Sequence, residues 1–224
     1  MKFAPEGYPF IFVPLVITAI DLIFLIWTWK SGSHNAAFYF SLAITSVLLM
    51  LTLSMAFFFR DPERKIPEGK GIFVSPADGK VILIKEVYEK DYLKSDVKEI
   101  SIFMSPLNVH VNRAPCGGKV IEVKYSPGNF IAAYKDDASV RNEHIDMLLE
   151  GEQGRVLVRQ VAGFLARRAV CRAKAGDVLK RGERYGIIKF SSRLDVYLPK
   201  DAQVMVKLGD KVKAGETIIA KSVK

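Results

Sequence analysis

Hydrophobic and polar positions divide the chain sharply. From Pro9 to Trp29 the sequence is almost unbroken apolar, with Asp21 as its one charge. After the polar stretch Lys30–Asn35, a second run from Ala36 to Phe59 carries no charge. At ~1.5 Å of rise per residue, either run forms a helix long enough to cross ~30 Å of hydrocarbon. A signal peptide has a shorter apolar core and a small-residue cleavage site, and it would leave the second run unexplained. The pattern predicts a transmembrane helical hairpin over residues 1–60, with spans at 9–29 and 36–59, and a second domain over 61–224. Lys2 precedes the first span and Arg60, Arg64 and Lys65 follow the second, whereas the linker offers only Lys30. Both ends are therefore expected in the cytoplasm, with the hairpin in the cell (inner) membrane. Trp27, Trp29 and Tyr39 fall toward the linker, where amphipathic rings favour the interface. Asp21, expensive at membrane depth, is expected to face the other helix or a wet crevice.

From Gly71 onward, short β-rich runs alternate with Gly, Pro, Asp and Asn. They are Gly71–Val74, Lys80–Val87, Glu99–Met104, Lys119–Tyr125, Arg155–Val161, Tyr185–Lys189, Leu194–Leu198, Gln203–Val206 and Thr217–Lys221. Strands of this length and spacing predict a mainly-β domain with minor α, an antiparallel barrel or sandwich. One short helix is expected, over Phe164–Ala173. Two segments repeat a pattern: Ala175-Gly176-Asp177-Val178-Leu179-Lys180-Arg181-Gly182-Glu183 and Leu208-Gly209-Asp210-Lys211-Val212-Lys213-Ala214-Gly215-Glu216. They fit hairpin turns in which Gly supplies positive φ. They resemble the turns of biotinyl/lipoyl-type barrel-sandwich domains, but no lysine sits in a Met-Lys-Met attachment turn, which argues against a carrier of either cofactor. The polar segment Pro127–Asn142 reads as a long loop of functional character.

Composition adds partners. Lys+Arg outnumber Asp+Glu 33 to 24, a formal charge of +9. Within residues 1–59, Lys2 and Lys30 balance Glu6 and Asp21, so the excess belongs to the second domain. A basic domain beside a bilayer attracts anionic headgroups at roughly 1 kcal/mol per well-placed Lys or Arg. Nucleic acid is the rival partner. The basic residues are scattered without interleaved aromatics, however, and DNA leaves the hairpin unexplained, so anionic membrane lipid is expected and nucleic acid is not. Two cysteines, Cys116 and Cys171, cannot build a disulfide framework. With three histidines and no common spacing among the loop carboxylates, no metal is expected.

Four segments carry the candidate chemistry: Phe58-Phe59-Arg60-Asp61-Pro62-Glu63-Arg64; Ser75-Pro76-Ala77-Asp78-Gly79-Lys80-Val81; Met104-Ser105-Pro106-Leu107-Asn108-Val109-His110-Val111-Asn112-Arg113-Ala114-Pro115; and Phe190-Ser191-Ser192-Arg193-Leu194-Asp195-Val196-Tyr197-Leu198-Pro199. In this order behind a hairpin, with Pro127-Gly128-Asn129-Phe130 and Arg141-Asn142-Glu143, they closely resemble the short bacterial and archaeal class of phosphatidylserine decarboxylase proenzymes. The resemblance runs from about Glu6 to Lys224. It implies a lyase that makes its own cofactor and converts phosphatidylserine to phosphatidylethanolamine. Such a precursor cuts its chain before a serine, which becomes a covalent pyruvoyl group. Here the cut would fall between Ser191 and Ser192, leaving associated subunits 1–191 and 192–224, with homo-oligomerisation left open. A serine hydroxyl beside a strained peptide can attack the preceding carbonyl and turn amide into ester. Elimination and hydrolysis then leave a ketone, the electron sink that PLP provides elsewhere.

The resemblance also implies roles. Ser192 is the nucleophile and future pyruvoyl group. Asp78 orients or deprotonates a partner during self-cleavage. His110, whose ordinary pKa lies near neutrality, assists elimination or protonates the carbanion. The plainer readings are a turn residue for Asp78 and a satisfied strand-end histidine for His110. Longer bacterial members carry a second histidine where this chain has Arg113, a residue suited to gripping the substrate's carboxylate or phosphate. Asn108 and Asn142 complete the expected substrate-binding set, and His144 reads as a surface residue. The family's cleavage pair is Gly-Ser, so Ser191 is expected to slow or shift processing, because a Cβ restricts the backbone and screens the carbonyl. Three rival readings are an archaetidylserine decarboxylase, a non-catalytic membrane-anchored barrel-sandwich adaptor, and a Ser–Lys hydrolase using Ser192 and Lys189. The last pair, three apart in a strand, would face opposite sides.

Overall fold

The computed structural model describes residues 2–129, 141–163, 168–189 and 192–223. They form two compact units, Met1–Pro62 and Glu63–Lys224. In the first, a 3-10 turn leads into α1 (Tyr8–Lys30) and α2 (Ala36–Phe58), each of 23 residues and so roughly 35 Å long. Asn35 caps α2, its side-chain oxygen accepting from Phe38 N at 3.2 Å. Both helices are long and apolar enough to cross a membrane. Much of their apolar surface is exposed, including Phe12, Ile20, Ile23, Trp27, Trp29, Phe40 and Met50, which a soluble core helix would bury. Asp21 faces the neighbouring helix: Ser41 and Thr45 donate to its two carboxylate oxygens, each at 2.5 Å. Interhelical hydrogen bonds of this kind hold helices together where water is absent.

The second unit is a β-sandwich. Its strands are β1 (Ile72–Val74), β2 (Gly79–Glu89), β3 (Ser95–Met104), β4 (Val111–Arg113), β5 (Gly118–Ser126), β6 (His144–Gly151), β7 (Gly154–Ala162), β8 (Ala169–Cys171), β9 (Val178–Leu179), β10 (Arg184–Ile188), β11 (Ser192–Pro199), β12 (Gln203–Val204), β13 (Lys211–Val212) and β14 (Ile218–Lys221). The large sheet runs β13-β2-β3-β11-β7-β6-β5-β9, and two small ones run β1-β14-β12 and β4-β10-β8. One core lies between them, joining Ile100, Ile102, Met147, Val158, Leu194, Val196 and Leu198 of the large sheet to Phe73, Ile219, Tyr185 and Ile188 of the small ones. Strand alternation decides which residues enter it. Along β11, Ser192 shares the core side with Leu194, Val196 and Leu198, while Arg193, Asp195 and Tyr197 take the outer face.

The two repeated turns are related by an internal symmetry. Gly176 N and Gly209 N bind the carbonyls of Val120 and Val81, and Gly182 N and Gly215 N bind those of Ala114 and Ser75, all at 2.8 Å. All four glycines have positive φ. Correspondingly, Ser75-Pro76-Ala77-Asp78-Gly79-Lys80-Val81 enters β2 as Ala114-Pro115-Cys116-Gly117-Gly118-Lys119-Val120 enters β5. Gly79 and Gly118 let neighbouring backbone come close, since an added Cβ would lie 2.2 Å from Phe103 O or 2.6 Å from Glu150 O. Asp78 breaks the symmetry, standing where the other half has Gly117.

One expected element is corrected. Within Phe164–Ala173, residues 169–171 form strand β8, paired with β10 from Gly186 to Ile188; residues 164–167 lie outside the described residues. The exposed edge of β10 overrides the local helical pattern. Most of the segment expected as a loop, residues 130–140, also lies outside them.

Candidate active site

Ser192 opens β11, the strand between β3 and β7, in register with Met104 on one side and Ala162 on the other. It is fully buried. Its hydroxyl donates to Met104 Sδ at 3.4 Å, a weak acceptor that leaves the oxygen little stabilised. Asn142, also fully buried, secures the adjoining strand: its amide donates to the Ala162 carbonyl at 2.8 Å. Gly128 permits this arrangement, because a Cβ there would lie 2.4 Å from Asn142 C. Ser191 lies outside the described residues.

His110 is fully buried. Its Nδ1 is 2.9 Å from the Asn108 carbonyl. A carbonyl only accepts, so Nδ1 carries the proton and Nε2 is the basic nitrogen. The Asn108 side chain accepts from Ser105 N at 2.9 Å, closing the turn that leaves β3 beside Ser192. Ile188 N in turn binds the His110 carbonyl at 3.3 Å. Asn108 thus sets the histidine's tautomer and the shape of its loop.

Asp78 and Arg113 direct their side chains to other partners. The hydrogen bonds of Asp78 go to Arg64 Nη2 at 2.8 and 3.0 Å and to Ala214 N at 2.7 Å, not to His110 or Ser192. Arg64 also reaches Glu216 at 3.4 Å, so Asp78 ties the connector after the hairpin to the β13–β14 turn. Arg113 sits at the far end of β4 from His110, paired with Arg184, and donates to the Gly182 carbonyl at 2.9 Å. It lines a cavity of about 560 Å³ with Arg64, Lys180, Arg181 and Arg184. His144, read as a surface residue, is instead largely covered in β6, with Nδ1 2.7 Å from the Asn142 carbonyl.

Two residues that sequence reasoning passed over connect to Ser192 through Met104. Asn112 is fully buried and points its Nδ2 at Met104 Sδ, 3.8 Å away. Gln160, 1% exposed, donates from Nε2 to Asn112 Oδ1 at 2.8 Å. The available signal was a polar residue on the core face of a strand, which Gln160 shows between Val158 and Ala162.

Behind Ser192, the outer face of the sheet holds a buried ion network. Arg193 donates to Asp195 at 2.6 Å, to Ser101 at 2.7 Å and to Glu99 at 3.3 Å, and Lys85 reaches Glu99 at 3.3 Å. Burial alone would lower the Arg193 pKa, but Asp195 and Glu99 outweigh it and the net shift is upward. Burial, reinforced by Asp195, pushes Glu99 above the usual carboxylate range. Burial also pushes the Cys116 thiol up to about 12, which makes it a poor nucleophile. Among the described residues, no group of three or more His, Cys, Asp or Glu could hold a metal ion.

Fold and site together define a β-sandwich built around a sequestered serine and preceded by an apolar helical hairpin. Comparison with known proteins supplies the family. The phosphatidylserine decarboxylase family profile matches residues 51–220. The phosphatidylserine decarboxylase proenzyme of Syntrophus aciditrophicus is 44% identical over 96% of this chain and 94% of its own length. Those of Geobacter metallireducens and Symbiobacterium thermophilum are 46% and 42% identical, over 96% and 97% of this chain and 94% of theirs. The chain belongs to the phosphatidylserine decarboxylase family.

Proposed function

We propose that this protein decarboxylates phosphatidylserine to phosphatidylethanolamine, using a pyruvoyl group formed at residue 192 after the chain is cut between Ser191 and Ser192. The observation that carries the reading is the placement of Ser192: fully buried, at the head of a central strand, with the thioether of Met104 receiving its hydroxyl. The site suits the group because it is made in place. Conversion keeps the carbon atoms of residue 192 in place, loses Oγ and the nitrogen, gains one oxygen from water and asks for no added room. A pyruvoyl group supplies an electrophilic ketone that takes up the amine of a serine headgroup and accepts the electron pair left by departing CO2.

The chain's own residues supply the rest. His110, basic at Nε2 and held by the Asn108 carbonyl, is the proton carrier. Asn142 keeps β7 in place against β11 through the Ala162 carbonyl. Asp78 acts through position rather than proton transfer, since Arg64 and Ala214 N occupy its carboxylate. Arg113 lies with Arg64, Lys180, Arg181 and Arg184, and with Glu63 and Glu183, around one cavity that an anionic headgroup could reach. On this reading the hairpin anchors the protein in the cell membrane with the β-domain on the cytoplasmic side; the exposed apolar helices and Arg60, Arg64 and Lys65 after the second support it.

A denaturing gel with intact-mass analysis tests this. The purified chain is expected to yield a fragment spanning 192–224 with a borohydride-reducible carbonyl in place of its N-terminal amine. It should also release CO2 from phosphatidylserine vesicles. A chain that stays whole, even with Ser191→Gly, and releases no CO2 overturns the proposal.

A further inference from the structure

Two buried polar groups converge on one sulfur. Met104 Sδ receives the Ser192 hydroxyl at 3.4 Å and the Asn112 amide at 3.8 Å, and all three residues are fully buried. A thioether is a poor acceptor, so an amide sealed from water and offered sulfur among the described residues keeps most of its hydrogen-bonding capacity unspent. Its direction is set by a relay. Gln160 Nε2 lies 3.4 Å from the Val170 carbonyl, which only accepts, and 2.8 Å from Asn112 Oδ1. With Oδ1 so engaged, Nδ2 is the atom turned toward Met104 Sδ, which also receives the Ser192 hydroxyl. Gln160 Oε1, buried, has no partner among the described residues, while its NH2 group orients Asn112.

We infer that Asn112 donates a hydrogen bond to Ser192 Oγ as that oxygen departs during pyruvoyl formation, with Gln160 as the positioning residue. The inference rests on the cleavage reading above. In the first step, Ser192 Oγ bonds to the carbonyl carbon of residue 191, the bond from that carbon to Ser192 N breaks, and the hydroxyl proton passes to the freed amine. In the second, the Cα proton of residue 192 passes to a base, His110 Nε2 in the reading above, and the Cβ–Oγ bond breaks. Its electron pair goes to Oγ, which leaves as one oxygen of the residue-191 carboxylate. The remaining dehydroalanine takes up water and loses ammonia to become the pyruvoyl group. Negative charge thus develops on an oxygen that starts within reach of the sulfur Asn112 addresses, and a neutral amide can follow it without itself needing a proton.

The test follows the appearance of the 192–224 fragment in the full-length protein and in Asn112→Leu and Gln160→Leu, with hydroxylamine used to split any accumulated ester. Loss of one hydrogen bond to a charged oxygen should slow fragment formation about ten- to hundredfold in Asn112→Leu, with a smaller effect in Gln160→Leu. The slowed chains should accumulate ester, so hydroxylamine should release a 192–224 fragment that keeps its serine amine. Melting temperature measures the folded fraction; if Asn112→Leu does not fold, Gln160→Leu, which leaves Asn112 in place, carries the test. Folded variants that mature as fast as the parent, or slow down without ester building up, overturn the assignment to Asn112. A parent chain that never splits overturns the cleavage reading instead.

Discussion

Arg193 and Asp195, two apart on β11, are joined by a 2.6 Å Nε–H···Oδ1 hydrogen bond with both side chains buried. They face away from Ser192, so the strand that presents the serine to the core is anchored from its other side. The anchor also crosses the expected cut, because Arg193 lies after it while Glu99 and Ser101 lie before it.

Replacing Arg193 with Met should be severe, since it leaves Asp195 and Glu99 buried beside each other without their guanidinium. Breaking a buried pair from one side costs about 3–5 kcal/mol, readable as a fall in urea midpoint. Arg193→Lys should lose less. A loss under about 1 kcal/mol in the Met variant would mean the network supports nothing.

Arg64 and Asp78 should behave as one unit. Asp78→Asn and Arg64→Met each remove the same ion pair, so the double variant should cost less than the two singles together, by roughly 1–3 kcal/mol. If Asp78 acts by position, cleavage in Asp78→Asn should slow only modestly and keep its pH profile. A drop of about a hundredfold or more with an altered profile would return it to acid–base duty.

If the cut needs a backbone angle that a Cβ disfavours by ~1–2 kcal/mol, Ser191→Gly should accelerate cleavage by about five- to thirtyfold. The rate of fragment 192–224 appearance measures it. An unchanged or slower rate would show that the backbone ahead of Ser192 needs no glycine-type freedom.

Glu89 should make stability fall in acid. Burial alone would raise its pKa, but N–H donors from Leu93, Asp91 and Tyr92 at 2.6, 3.0 and 2.8 Å together outweigh it, and the net shift is below the ordinary 4.5. A depressed carboxylate pKa contributes stability above 4.5 and loses it as the pH falls through the folded value. Glu89→Gln should therefore cost roughly 1–2 kcal/mol at neutral pH, with the gap closing in acid. A gap independent of pH in denaturation curves would refute this.

Much of the fold was legible because it is local. Uninterrupted apolar runs specify α1 and α2 whatever lies around them, and the glycines of the two repeated turns adopt positive φ because their own sequence demands it. The expected runs, from Gly71–Val74 to Thr217–Lys221, all contain strands. Short pieces such as β8, β9 and β13 were not legible, since two or three residues become a strand only when a partner edge is there to bind them. His144–Gly151 was missed for a related reason: its side chains are covered on both faces, so it shows no alternation.

Sequence alone settled the hairpin, the strand-rich character of the rest, the glycine turns and the kinship carried by Ser192 and the segments around Asp78 and His110. Tertiary structure alone decided who meets whom. It linked Asn112 and Gln160 to Ser192 through Met104, gave Asp78 to Arg64, brought Arg113 to the Gly182 turn and covered His144. Periodicity reveals which side of a strand a residue occupies, but its neighbour across the sheet depends on register and strand order, and these are set by burial summed over the whole sandwich.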